Sequence, residues 1–136
     1  MSKSKLLRKE DHYSYPGYFD AEAWCQLLVF ERADSTVVAL AHDPDESDSG
    51  TSITNAAEAL GTQIWRELGE PRQFIFIEYY PANRYGGTEP ETFARTDFQL
   101  GLERDGRYKL INPSWMHLTR EQVEILAGSD ELAPWR

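Results

Sequence analysis

A single cysteine, Cys25, stands in a chain of 136 residues, so neither an intramolecular disulfide nor a multi-cysteine zinc site can form. That usage fits a reducing compartment, and a cytoplasmic location is the expectation. Long apolar runs are missing as well. Nothing approaches the roughly 20 apolar residues that carry a helix across a bilayer, and Leu6 and Leu7 alone follow the early lysines, too little for the apolar stretch of a secretory signal. Basic residues are scarce, with 14 Lys+Arg against 23 Asp+Glu and a formal net charge of −9. Lys3, Lys5, Arg8 and Lys9 all fall in the first nine positions, so from Glu10 onward the balance is 10 basic against 23 acidic, or −13. From Ala33 through Trp65 there is no Lys or Arg, only Asp34, Asp43, Asp45, Glu46, Asp48 and Glu58. This sign argues against nucleic acid or an anionic membrane as direct partner and favours a basic one.

What is present is a core. Hydrophobic residues make up 40% and aromatics 12%, enough for one folded domain rather than a disordered chain. Residues 1–22 read as a flexible basic tail and an aromatic connector around Pro16-Gly17, and 23–136 as a single α+β domain. Trp24 to Arg32 and Thr36 to His42 are rich in strand formers and form a hairpin across Ala33-Asp34-Ser35. Residues 43–52 are loop chemistry, and Ile53, Ala57, Leu60, Ile64 and Leu68 line one face of a helix capped by Thr51 or Ser52 and ended by Gly69 and Pro71.

Gln73 to Tyr80 is apolar on both faces, Phe74 and Phe76 on one and Ile75, Ile77 and Tyr79 on the other, so it belongs in the middle of a sheet. A connection over 81–92 leads to an alternating strand, Arg95 to Arg104, and Asp105-Gly106 signals a hairpin. A three-residue loop there would set Leu102 opposite Leu110. Thr119 and Gln122 form a capping box for a last helix, with Leu118 and Val123 as its hydrophobic staple. The predicted order is ββαβββα: a mostly antiparallel five-stranded sheet with two helices packed on one face. If the strands ending at His42 and Tyr80 are parallel neighbours, their following loops share one edge.

Chemistry is harder to find. Asp43, Asp45, Glu46 and Asp48 could suit a divalent cation, but no starting point matches the calcium-loop template, so the reading is a solvated acidic loop and no metal. A phosphate at Gly50-Thr51-Ser52 is opposed by those acids and by the lack of a Walker lysine or a Gly-rich fingerprint. His12, His42 and His117 form no ligand pattern. Cys25 lies within a strand, where a thiol is usually inert, and Ser114 reads as a turn residue. Glu78 in the most apolar strand is a candidate acid or base, with no second catalytic group at an informative spacing. No cofactor is expected.

The segments Gly50-Thr51-Ser52-Ile53-Thr54-Asn55-Ala56-Ala57-Glu58, Phe76-Ile77-Glu78-Tyr79-Tyr80-Pro81 and Thr92-Phe93 resemble an uncharacterised family of small proteins carried on bacterial plasmids and integrated mobile elements. The likeness covers the middle half of the chain, and Tyr79 stands where that family more often has His. It implies a mobile-element context, in which small acidic proteins block host restriction or CRISPR complexes. The expectation is a non-enzymatic binding protein engaging a basic protein surface through Asp43, Asp45, Glu46, Asp48 and Glu58, with Arg84 and Tyr85 beside them as anchors. The alternative is a small enzyme or ligand-binding domain with a pocket formed by loops 43–52 and 81–92, and a homodimer built on the N-terminal aromatics is a third reading.

Overall fold

A computed structural model gives the fold and describes residues 5–16, 22–42, 51–68, 73–82, 87–88, 90–102 and 108–127. Six strands and two helices follow the order β1 (Lys5–Pro16), β2 (Glu22–Glu31), β3 (Val37–His42), α1 (Thr51–Leu68), β4 (Phe74–Tyr80), β5 (Thr92–Leu102), β6 (Tyr108–Leu118) and α2 (Arg120–Ala127). The strands form one sheet in chain order, β1-β2-β3-β4-β5-β6. Only β3 and β4 run parallel, Val37 beside Phe74 through His42 beside Tyr79, and α1 is the crossover that joins them. All other neighbours are antiparallel.

The class is α+β, as the patterning predicts, with two corrections. The sheet has six strands rather than five, because Lys5–Pro16 pairs with β2 where a tail and connector are expected. Its register slips between Leu6 and Arg8 and again between Glu10 and Tyr13, and those slips destroy the two-residue alternation by which a strand is read. Leu6 stays 47% exposed while Leu7 packs on the core and Tyr13 is buried.

The helices also lie on opposite faces of the sheet, not on one. Ala57, Leu60, Ile64 and Trp65 of α1 join Leu27, Val29, Val37, Ala39, Ala41, Phe74 and Phe76 in one core layer. Val123 and Ala127 of α2 join Leu28, Phe30, Val38, Leu40, Ile75, Ile77, Tyr79 and Phe93 in the other. A parallel pair that is apolar on both sides needs a cover on each. Phe74, Phe76, Ile75 and Ile77 are all at most 2% exposed, so truncating Phe76 to Ala should cost about 3–5 kcal/mol.

Local signals fare well where the chemistry is short-range. The capping box forms as predicted: the Thr119 N–H donates to Gln122 Oε1 at 2.9 Å and the Gln122 N–H to Thr119 Oγ1 at 3.2 Å. Leu118 and Val123 share one core layer, as a staple requires. The β5–β6 register differs from expectation: Leu100 faces Leu110 and Leu102 faces Tyr108, with residues 103–107 between. The shift is two residues, which keeps the alternation in phase.

The β2–β3 hairpin closes across Ala33-Asp34-Ser35 as expected, with the Arg32 N–H donating to Thr36 O at 2.8 Å and the Ser35 N–H to Arg32 O at 2.9 Å. Ser35 has φ 70°, the left-handed position that such three-residue loops normally give to glycine. Asp34 supports the turn by accepting the Thr36 N–H at 3.0 Å, and that bond holds its carboxyl below the ordinary value. Ser35→Gly is therefore expected to raise the stability by about 0.5 kcal/mol in urea unfolding, and Ser35→Val to lower it. The opposite order would contradict the turn assignment.

Candidate functional site

One end of the sheet gathers the polar side chains. A row of register partners crosses it, Gln26, His42, Tyr79, Phe93 and Leu118 on β2 to β6, on the face that α2 covers. The adjacent row, Leu27, Ala41, Glu78, Ala94 and His117, looks to the α1 side. This end carries the C-termini of the parallel pair, where open sheets containing parallel strands commonly bind their ligands.

On the α2 side, His42 Nδ1 lies 3.2 Å from Gln26 Oε1. With the amide oxygen as acceptor, the His42 Nδ1–H donates. The His42 ring stands edge-on to Tyr79 at 5.0 Å and 76°. Continuing the register Phe93↔Leu118 two residues outward sets Glu91 opposite Arg120, the first residue of α2. The Arg120 guanidinium forks onto that carboxylate, Nε to Oε2 at 3.1 Å and Nη2 to Oε1. It also lies over the rings of Phe93 and Tyr79, 5.5 and 5.8 Å from their centroids.

The electrostatics of this cluster are mutually reinforcing. The Arg120 bond holds the Glu91 carboxyl below its ordinary 4.5, with the Tyr79 hydroxyl helping and burial opposing. Burial pushes Tyr79 above its ordinary value and the Glu91 bond pushes it further, so its O–H stays protonated at neutral pH and donates to Glu91. Arg120 is held charged most strongly by its bond to the same carboxylate. A planar guanidinium pinned between two rings and a carboxylate has little freedom to serve elsewhere. It fastens the start of α2 to the start of β5. At the other end of α2, Arg32 Nη1 donates to the Leu126 carbonyl, a cation at a helix C-terminus.

On the α1 side, Glu78 is 8% exposed and accepts the Tyr80 hydroxyl at Oε2. The burial that the strand pattern implies is thus observed, and the bonded hydroxyl lies two residues along on the same face. Thr96 is 3% exposed, and its Oγ1 has no hydrogen-bond partner. Among the described residues no group of three or more His, Cys, Asp or Glu is placed to hold a metal ion.

Of the residues expected to meet a partner, Glu58 lies on α1, half-buried, next to the fully buried Ala57. Asp43, Asp45, Glu46, Asp48, Arg84 and Tyr85 lie outside the described residues. Asp34, at the start of the acid-only stretch, sits in the β2–β3 hairpin at the opposite end of β3 from His42, 3.7 Å from Arg32. The Glu91, Arg120 and Tyr79 cluster was not legible in the sequence. Its signal, opposite charges two residues outside a strand pair, needs the register to be known first.

Comparison with known protein families, with curated proteins and with solved structures finds no match to this chain.

The Glu91 pairing fixes a pH dependence. A carboxyl whose folded value is depressed contributes stability above its unfolded value, and loses that contribution as pH falls through the folded one. Glu91→Gln is therefore expected to lower stability at pH 7 by about 1–2 kcal/mol, and to flatten the fall of the urea midpoint below pH 4.5. Parallel pH curves for wild type and variant would contradict this pairing.

Proposed function

We propose that the protein is a non-enzymatic acidic binding protein that engages a basic, nucleic-acid-binding protein partner, as an inhibitor of a host defence complex would. The observation that carries this reading is the lack of any Lys or Arg from residue 33 through 65 in a chain of net charge −9. That stretch includes all of β3 and most of α1. Intramolecular pairing does not remove the surplus. Arg8, Arg32, Arg95 and Arg120 each stand against a carboxylate of the same chain, Glu10, Asp34, Asp97 and Glu91, and each such pair consumes one charge of either sign. The remaining excess is available to steer a positively charged surface and to occupy it as phosphates would.

A second reading, a small enzyme or ligand-binding domain, draws on the buried Glu78 with its Tyr80 bond and on the His42 and Tyr79 row behind it. The two readings differ in what disrupts them. Binding of a basic partner weakens steeply with salt because exposed charges are screened. Buried groups such as Glu78 are screened much less.

The test is an affinity pull-down at about 0.05 M and about 0.5 M salt with wild type, with Asp43→Asn/Asp45→Asn/Glu46→Gln/Asp48→Asn combined, and with Glu78→Gln. The proposal expects basic nucleic-acid-binding proteins retained at low salt, released at high salt and lost from the quadruple variant, with Glu78→Gln unaffected. Retention that ignores salt and the four neutralisations but is lost with Glu78→Gln would favour the ligand-binding reading.

A further inference from the structure

The two outer edges of the sheet are built differently. β1 breaks its own ladder twice, and it carries five charged residues, Lys5, Arg8, Lys9, Glu10 and Asp11. Those are the features by which proteins keep an exposed edge from pairing with another strand. β6 has Pro113 at its centre, at the register slip between Asp97 and Gln99. From 114 to 118 the ladder to β5 is regular, Ser114 beside Asp97 through Leu118 beside Phe93. Among the described residues no strand pairs with the outer side of this segment.

We propose that the outer edge of residues 114–118 is the surface through which a second copy of this chain docks, antiparallel and about a two-fold axis at Met116. Three observations select a second copy. β6 contains no Asp or Glu in its 11 residues, so although the chain carries a net charge of −9, no carboxylate of one copy's β6 faces a carboxylate of the other's. The same lack of acid gives a basic partner nothing to pair with there. Met116 is 54% exposed, and an antiparallel two-fold at this position sets it against itself, with Cβ atoms about 5 Å apart on one face, which buries both side chains. Met116 and Ile125, two of the three exposed large hydrophobics among the described residues, belong to β6 and the α2 that follows it.

Five paired residues make a small interface, below the roughly 1,000 Å² of stable complexes, so the dimer is weak, with a Kd of about 10–100 μM. Its salt dependence is opposite to that of the proposed partner complex. Salt screens the repulsion between two negative molecules, so self-association strengthens as ionic strength rises.

Sedimentation equilibrium of the full chain over about 5–500 μM at about 0.05 M and about 0.5 M salt tests the proposal. The expected result is a monomer–dimer equilibrium whose association constant rises several-fold at high salt. Met116→Lys, which places like charges face to face at an exposed position, should lower it at least tenfold with an unchanged far-UV circular dichroism spectrum. Lys9→Glu on the opposite edge should leave it as it is. A monomer at every concentration and salt would overturn the proposal. So would a dimer indifferent to Met116→Lys, one dispersed by salt, or one lost with Lys9→Glu. None of these results bears on whether a basic partner binds.

Discussion

The parallel contact between β3 and β4 is the constraint on which the rest of the structure depends. Two neighbouring strands that are apolar on both faces cannot lie at a sheet edge or leave a face to water. Val37 to Leu40 and Phe74 to Ile77 are all at most 2% exposed, and that degree of burial requires further strands on either side and a helix above and below. β2 and β5 supply the first requirement, α1 and α2 the second. Because α1 must connect the end of β3 to the start of β4, it covers one face as a matter of chain path. The other face is left for α2.

This division explains why α2 is fastened at both ends. Its eight residues are too few for stability from helix propensity alone, and only Val123 and Ala127 are fully buried. The Glu91–Arg120 fork and the Arg32 bond to the Leu126 carbonyl fix the two ends to opposite ends of the sheet. Tyr79 contributes to both purposes: its ring packs 5.1 Å from Phe93, and its hydroxyl completes the bonding of Glu91. The polar cluster at this end is thus first a structural fastening, and the candidate ligand-binding groups around it are arranged by the same contacts.

Much of the plan was legible in the residues because it rests on period and local chemistry. The double-sided β4, the amphipathic α1, the hairpin at Ala33-Asp34-Ser35 and the capping box at Thr119 each carry their own short-range signal. The parallel pairing of β3 with β4 follows from those elements and the chain path. Three features were not legible. The strand β1 is hidden by its two register slips, between Leu6 and Arg8 and between Glu10 and Tyr13, which interrupt the two-residue period. The side taken by α2 depends on β3 being apolar on both faces, and the run TVVALAH does not reveal how its two sides are covered. The Glu91–Arg120 pair depends on a slip near Asp97 that shifts the β5–β6 register by one, and Pro113, which marks the slip in the sequence, does not by itself say by how much the register moves. For the residues proposed to meet a partner the legible property is charge, which composition reports directly.

Surplus charge and a two-sided core are compatible demands only if the acids stay out of the central strands. Between Val37 and Ile77 the strand residues carry none, and Glu78, the first acid in β4, is bonded to Tyr80 at the strand's end. The most direct measurement of the account is native-state hydrogen exchange on the amides of β3 and β4 compared with those of β1. Exchange from β3 and β4 should require the full free energy of global unfolding measured in urea, while β1 opens at lower cost. Exchange from β4 through openings as easy as those of β1 would contradict the claim that this doubly covered pair holds the fold together.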